Sequence, residues 1–139
     1  MEVTANALQT VAENQNVLFT DTPVGGCCSI LHREGSGLVT LRGVTSQCRA
    51  RFKAFFSGNI AIPTGGTVSA ISLALAINGE AVAATTMIQT PAAVAEFANV
   101  ATAIYVDVPA GCCLTLSVRN TSGQAIDVQN ANLIIERVA

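Results

Sequence analysis

From Ile71 the large apolar side chains fall on every second position, Ile71, Leu73, Leu75 and Ile77, while Ser72, Ala74 and Ala76 take the opposite side. A period of two is that of a β-strand with one face toward a core. Asn78-Gly79 follows at once, and both residues tolerate positive φ, so a two-residue type I′ turn is expected with Glu80 to Ile88 pairing back as a hairpin. Alanine and leucine would also serve a helix over Ala70 to Ala76, but the β-branched content and the Asn-Gly corner favour the strand.

The same rhythm recurs along the chain. Val100, Thr102, Ile104, Val106 and Val108 share one face, Pro109-Ala110-Gly111 makes a turn, and Cys112, Leu114, Leu116 and Val118 share a face beyond it, which reads as a second hairpin. Asn120-Thr121-Ser122-Gly123 is the next turn, and Ala125 to Val128 and Leu133 to Val138 are two closing strands separated by the Asn-rich stretch Gln129 to Asn132. In the first half, strands are expected near Ala7 to Val11, Asn16 to Thr20, Cys28 to Arg33, Leu38 to Arg42 and Gln47 to Phe56, with Glu34-Gly35-Ser36-Gly37 as a turn. In the longest, Cys48, Ala50, Phe52, Ala54 and Phe56 alternate against Arg49, Arg51, Lys53 and Phe55, so one face is core and the other basic. Helical character is confined to one candidate turn at Ala92 to Phe97.

About ten short strands with no strand-helix-strand rhythm, no long repeat and no linker imply a single all-β domain over residues 1–139, two packed antiparallel sheets. Composition adds a second point. Half of the residues are hydrophobic, 12% are charged, and mean hydropathy is +0.50, which is apolar for a soluble monomer. Part of that apolar surface is expected to meet another subunit. The longest uncharged apolar stretch, Ile60 to Gly79, is too interrupted by polar residues to cross a membrane, and a net charge of -2 without a basic window argues against nucleic acid as a partner. The opening Met-Glu-Val-Thr-Ala-Asn has neither a basic nor an apolar signal region, so synthesis in a cytoplasm is expected.

Candidate chemistry is sparse. His32 is the single histidine, so any Ser-His or Cys-His pair must use it, and neither a nucleophile elbow, a phosphate-binding loop nor a dinucleotide fingerprint is present. The expected catalytic, cofactor and metal sets are therefore none. The five cysteines, Cys27, Cys28, Cys48, Cys112 and Cys113, fit free and mostly buried thiols better than a disulfide framework. The two vicinal pairs each follow a glycine-containing turn and could converge, but adjacent strand residues point to opposite faces and give poor zinc geometry. Asn120-Thr121-Ser122 matches a glycosylation sequon and is read as a turn.

Ile77-Asn78-Gly79-Glu80, Val108-Pro109-Ala110-Gly111 leading into Leu114, Leu116 and Val118, then Asn120 to Gly123 and Asn132-Leu133-Ile134-Ile135 carry a resemblance over the C-terminal half. The pattern resembles the C1q/TNF-like jelly rolls of bacteria and phages, especially the heads that cap collagen-like surface filaments such as exosporium proteins. That resemblance implies a ten-stranded jelly-roll sandwich assembled as a trimer around a threefold axis. The sequence departs from such heads in having no Gly-X-Y stalk ahead of the domain, with Met1 to Ala5 preceding the first expected strand. The residues marked for a trimer axis or interface are His32, Cys28, Cys113, Arg49, Arg51, Lys53 and Tyr105. Arg49, Arg51 and Lys53 form a stripe expected either to be solvated or to pair with Glu34, Asp107 or Glu136 across a subunit boundary.

Two functions follow from this reading. One is a non-enzymatic structural subunit of a phage particle, spore or bacterial surface, packing against its own copies and a capsid, filament or surface scaffold. The other is a receptor- or glycan-binding head, recognising its target through the loops Thr45 to Gln47, Asn59 to Gly66 and Thr90 to Ala93.

Overall fold

The computed structural model describes residues 1–26, 28–43, 48–111 and 113–139, and these form two antiparallel sheets packed face to face. The first sheet contains β1 (Glu2–Ala5), β2 (Gln9–Val11), β3 (Asp21–Val24), β6 (Arg49–Ala61), β10 (Ala98–Pro109) and β12 (Ile126–Arg137), in the order β10-β6-β12-β1-β3 with β2 also paired to β12. The second contains β4 (Ile30–His32), β5 (Val39–Arg42), β7 (Ile71–Ile77), β8 (Glu80–Ala81), β9 (Met87–Gln89) and β11 (Cys113–Asn120), in the order β4-β5-β11-β7-β8 with β9 also on β7. The described residues thus hold twelve strands where about ten were expected, in the two-layer antiparallel arrangement that the alternation implied. Among the described residues no helix is long and apolar enough to cross a membrane.

Alternation places the core. Ala50, Phe52, Ala54 and Phe56 of β6 are fully buried, and they meet Leu41, Leu73, Leu75, Leu116, Val118, Leu133 and Ile135 from both sheets in one cluster. The Asn78-Gly79 corner is as expected: Asn78 has φ 53° and Gly79 φ 83°, and Ala76 and Ile77 pair with Ala81 and Glu80. The returning arm is split into β8 and β9 by a 3-10 turn at Ala83–Thr85, and the buried Thr85 hydroxyl bonds the Leu75 amide at 2.9 Å in the gap. The Glu34 to Gly37 turn joins β4 to β5, with Gly35 at φ 89°.

Five expectations are corrected. The first strand is Glu2–Ala5, which pairs with Ile134 through Ala131 of β12, so the residues placed ahead of the first expected strand are themselves part of the first sheet. Residues Asn16 to Thr20 form no ladder, although Val17 and Phe19 are buried; the segment crosses the open side of the sandwich, its amides bonding Val118 and Ser36, and the strand comes after it as β3. The turn at Pro109 to Gly111 does not close a hairpin: β10 pairs with β6 and β11 with β5 and β7, so the turn carries the chain from one sheet to the other. The two closing strands are one, β12, because Asn130 at φ 55° absorbs a bulge between Gln129 and Asn132 and the ladder to β6 resumes beyond it. Residues Ala92 to Phe97 hold a turn with Ala95 at φ 59° in place of the single helical turn expected.

Candidate functional site

Strands β10, β6 and β12 run side by side, so their outward side chains form rows fixed by register. Asn59 lies between Asn99 and Gln129, Ser57 between Ala101 and Asn132, Phe55 between Ala103 and Ile134, and Lys53 between Tyr105 and Glu136. Arg51 stands opposite Asp107. The face therefore grades from a polar amide band through an apolar middle to a charged end. In the middle Phe55 is 38% exposed, Ile134 40% and Tyr105 64%, with Ala101 and Ala103 also exposed. Past β12 the same surface continues over Glu2 to Val24 on β3, which is also exposed. An antiparallel sheet with one face in the core ordinarily presents polar side chains on the other, so an apolar centre here is the departure that needs a cause.

The charged end is locked within one chain. Arg51 donates to both carboxylate oxygens of Asp107, Nε at 2.7 Å and Nη2 at 3.0 Å, and Arg49 approaches the same group at 3.8 Å. The hydrogen bond from Arg51 holds the Asp107 carboxyl below the usual carboxylate range and raises the guanidinium in turn. The expectation that this stripe would bridge to a neighbouring subunit is corrected for Asp107: cross-strand register puts its partners on the adjacent strand of the same chain. Toward the amide end, Asn132 donates to the Glu2 carboxylate at 2.6 Å, while its own oxygen is buried with no partner among the described residues.

Of the seven residues marked from sequence, four come together on this face: Arg49, Arg51, Lys53 and Tyr105. The other three lie in or beside the second sheet. His32 is on β4, half-buried and edge-on to Phe19 at 6.4 Å between ring centroids. Its Nε2 must carry the proton, because the Ser36 carbonyl 3.0 Å away only accepts; Nδ1 meets the Thr22 hydroxyl at 3.3 Å. Both ring nitrogens are thus engaged inside the chain. Cys28 sits in the turn before β4 and Cys113 at the start of β11, and both are exposed. Cys48 is exposed as well, ahead of β6 and off the core face assigned to it; Cys27 and Cys112 lie outside the described residues. The expectation of buried thiols therefore fails for the three that are described, because each stands where a strand begins or a turn ends and the core has already closed.

The sequon is structural. Asn120 is fully buried, its amide donating to the carbonyls of Val11, Ala12 and Gln124, so it offers no acceptor nitrogen to a glycan. Of the three loops marked for recognition, Asn59 to Gly66 begins inside β6, and its part beyond Ala61 meets the segment just past Thr90 to Ala93, where the Ala95 amide donates to the Ile62 carbonyl at 2.8 Å; Thr90 and Pro91 line a shallow cavity of about 260 Å³ with Glu96 and Phe97. Of the third, residues 45–47 lie outside the description.

The residues sequence reasoning missed are Ala101, Ala103 and Ile134. Phe55 was legible beside Lys53 through alternation, but the neighbours on β10 and β12 are set by pairing between strands far apart in the chain.

No protein-family model matches this sequence, and no curated protein matches it. Among solved structures, the globular domain of the zebrafish complement 1qA protein superposes with a TM-score of 0.59, over 96% of this chain and 93% of that one, at 12% identity. At that identity the two share a fold. The chain is an all-β sandwich of two antiparallel sheets with the C1q-like jelly-roll architecture.

Proposed function

We propose that the chain is a non-enzymatic structural module that assembles as a homotrimer through the outer face of β10, β6 and β12, and serves as a subunit of a phage particle or of a bacterial or spore surface. The observation that carries the reading is the apolar centre made by Phe55, Tyr105 and Ile134 on a face that would otherwise meet water. The flanking Ala101 and Ala103 keep the surface low, which lets a second backbone come close. Threefold symmetry is what the resemblance to C1q-like jelly rolls implies. The Arg51–Asp107 pair at one end and the Asn59–Asn99 pair at the other give the patch a polar rim.

Mass measurement in solution tests the assembly: the expected species has three times the 14.3 kDa chain mass at micromolar concentration. The double variant Phe55→Glu, Tyr105→Glu is expected to run as a folded monomer, with an unchanged far-ultraviolet circular dichroism spectrum. A wild-type protein that stays monomeric, or a double variant that still forms trimers, overturns the reading. The adjoining loops around Ile62 and Ala95 favour a second one, a receptor- or glycan-binding head. Retention of a defined glycan, lost on Phe97→Ala without change of mass, would support it.

A further inference from the structure

The described thiols lie at one end of the sandwich, Cys28 and Cys113 on the sheet opposite the assembly face. Three strands set their positions. Arg42, the last residue of β5, stands in register with Cys113 on β11, and its amide bonds the Ser29 carbonyl on the other side at 2.8 Å, with Cys28 next in the chain. Cys48 joins the same end, because the Ala110 amide bonds its carbonyl. Leu114 and Leu116 alternate with Cys113, and Leu116 is in the core, so Cys113 points outward beside the exposed Arg42. Directly opposed residues on antiparallel strands have Cβ atoms about 5 Å apart. Cys28 and Cys113, by contrast, are separated by two strand spacings, about 10 Å, beyond the reach of a disulfide without backbone movement. All three thiols are free.

Arg42 makes no ion pair with any described residue, and the six residues outside the description include no carboxylate. An exposed thiol next to an uncompensated guanidinium can hold a small anionic disulfide by its carboxylate while the sulfur attacks. We propose that Cys113, with Arg42 beside it, is a site of S-thiolation by anionic low-molecular-weight disulfides of the glutathione class. The Cys113 thiol gives up its proton and the sulfur attacks one sulfur of the disulfide. A protein–ligand S–S bond forms and the S–S bond of the reagent breaks. The departing thiolate takes up the proton, so the protein sulfur is oxidised, the departing sulfur is reduced, and no other oxidant is consumed. Because Arg42 and Cys113 face outward from the second sheet, the site stays open when the first sheet is covered.

The test compares glutathione disulfide with cystamine, a cationic disulfide, on protein whose other four cysteines are serine. A unit charge about 6 Å from the reacting sulfur changes a rate about threefold in water, so reversing the reagent charge changes it about tenfold. Taking the ratio of the two rates cancels any change in the intrinsic reactivity of Cys113, which both share. Arg42→Gln is expected to lower that ratio about tenfold at low ionic strength. Should the cysteine-poor protein fail to fold, peptide mapping of wild-type adducts gives the same ratio at Cys113, which about 1 M salt is expected to collapse as the screening length falls to about 3 Å. A ratio unmoved by Arg42→Gln and by salt overturns the proposal, as does closure of a Cys28–Cys113 disulfide within the chain in place of the adduct.

Discussion

Replacing Asn120 by aspartate changes almost no volume, yet removes the donor on which three segments converge. The Asn120 amide nitrogen donates to the carbonyls of Val11 at 3.0 Å, Ala12 at 3.3 Å and Gln124 at 2.9 Å, and its oxygen accepts from the Ser122 amide at 2.9 Å. In Asn120→Asp a carboxylate oxygen faces those carbonyl oxygens inside a fully buried site. Burial and opposed lone pairs both disfavour the charged form and push the new carboxyl upward. A rise of about 3 pH units corresponds to about 4 kcal/mol, and the orphaned carbonyls add about 1–3 kcal/mol. The total, about 5–7 kcal/mol, is comparable with the whole stability of an ordinary domain, about 5–15 kcal/mol. The sign is specific. A carboxyl raised in the fold carries no charge penalty below its unfolded value of about 4, and the penalty grows as pH rises through its folded value. Relative to wild type at the same pH, Asn120→Asp is therefore expected to be much weaker at about pH 7 than at about pH 4. Asn120→Ala, which has no charge, is expected to lose about 3 kcal/mol at both. Urea unfolding followed by circular dichroism reads the difference. An aspartate variant within about 1 kcal/mol of wild type at neutral pH, or one whose deficit ignores pH, would refute the assignment of Asn120 as a buried donor.

Gly43→Ala is expected to destabilise by about 1–3 kcal/mol, because its Cβ would overlap the Pro109 carbonyl oxygen, a backbone atom that cannot swing aside. Gly123→Ala, with nothing within 4 Å, serves as the neutral control, and equal melting temperatures would sink the argument. Gly79→Ala is expected to cost about 1 kcal/mol in the same assay, since Gly79 holds φ 83° at the β7–β8 corner. For Asp107 the folded carboxyl is depressed, so the contribution of the Arg51 pair is present above the unfolded value and is lost as pH falls through the folded one. Carbonyl-carbon NMR titration is expected to find Asp107 below an ordinary aspartate and to move it up in Arg51→Gln; no movement would show that Arg51 is not the cause.

How far the fold was readable depended on how local each determinant is. Ile71 to Ile77 and Ala50 to Phe56 carried their period of two in the sequence, and the burial of Leu73, Leu75, Phe52 and Phe56 follows it. The Asn78-Gly79 corner was readable for the same reason, since positive φ is a property of those two residues. At Pro109 to Gly111 turn chemistry predicted a reversal and a reversal occurs, but nothing local says whether the returning strand rejoins its sheet or crosses to the other. That choice is made by β6 on one side and by β5 and β7 on the other. Glu2–Ala5 is too short to display a period, and Asn130 mimics a loop because the residue that best absorbs a bulge is also one that best makes a turn. The cysteines misled in a related way: a preference for burial belongs to the residue type, whereas Cys28, Cys48 and Cys113 are governed by where their strands begin.

The candidate face divides along the same line. Arg49, Arg51, Lys53 and Phe55 are one side of one strand, so alternation found them; Tyr105, Ala103 and Ile134 join them through register, which only the assembled sheet provides. That sheet also separates the two proposals physically. Phe55, Tyr105 and Ile134 face outward from the first layer, and Arg42 with Cys113 from the second, with the core between them. Covering the first face leaves the thiol end in water, so a mixed disulfide at Cys113 is expected to leave the assembly mass intact apart from the adduct. Conversely, Phe55→Glu with Tyr105→Glu is expected to separate the copies and leave the Cys113 rates unchanged. A change of oligomeric state on thiolation would mean that the copies meet through the second sheet instead, and the assignment of the apolar face would have to be withdrawn.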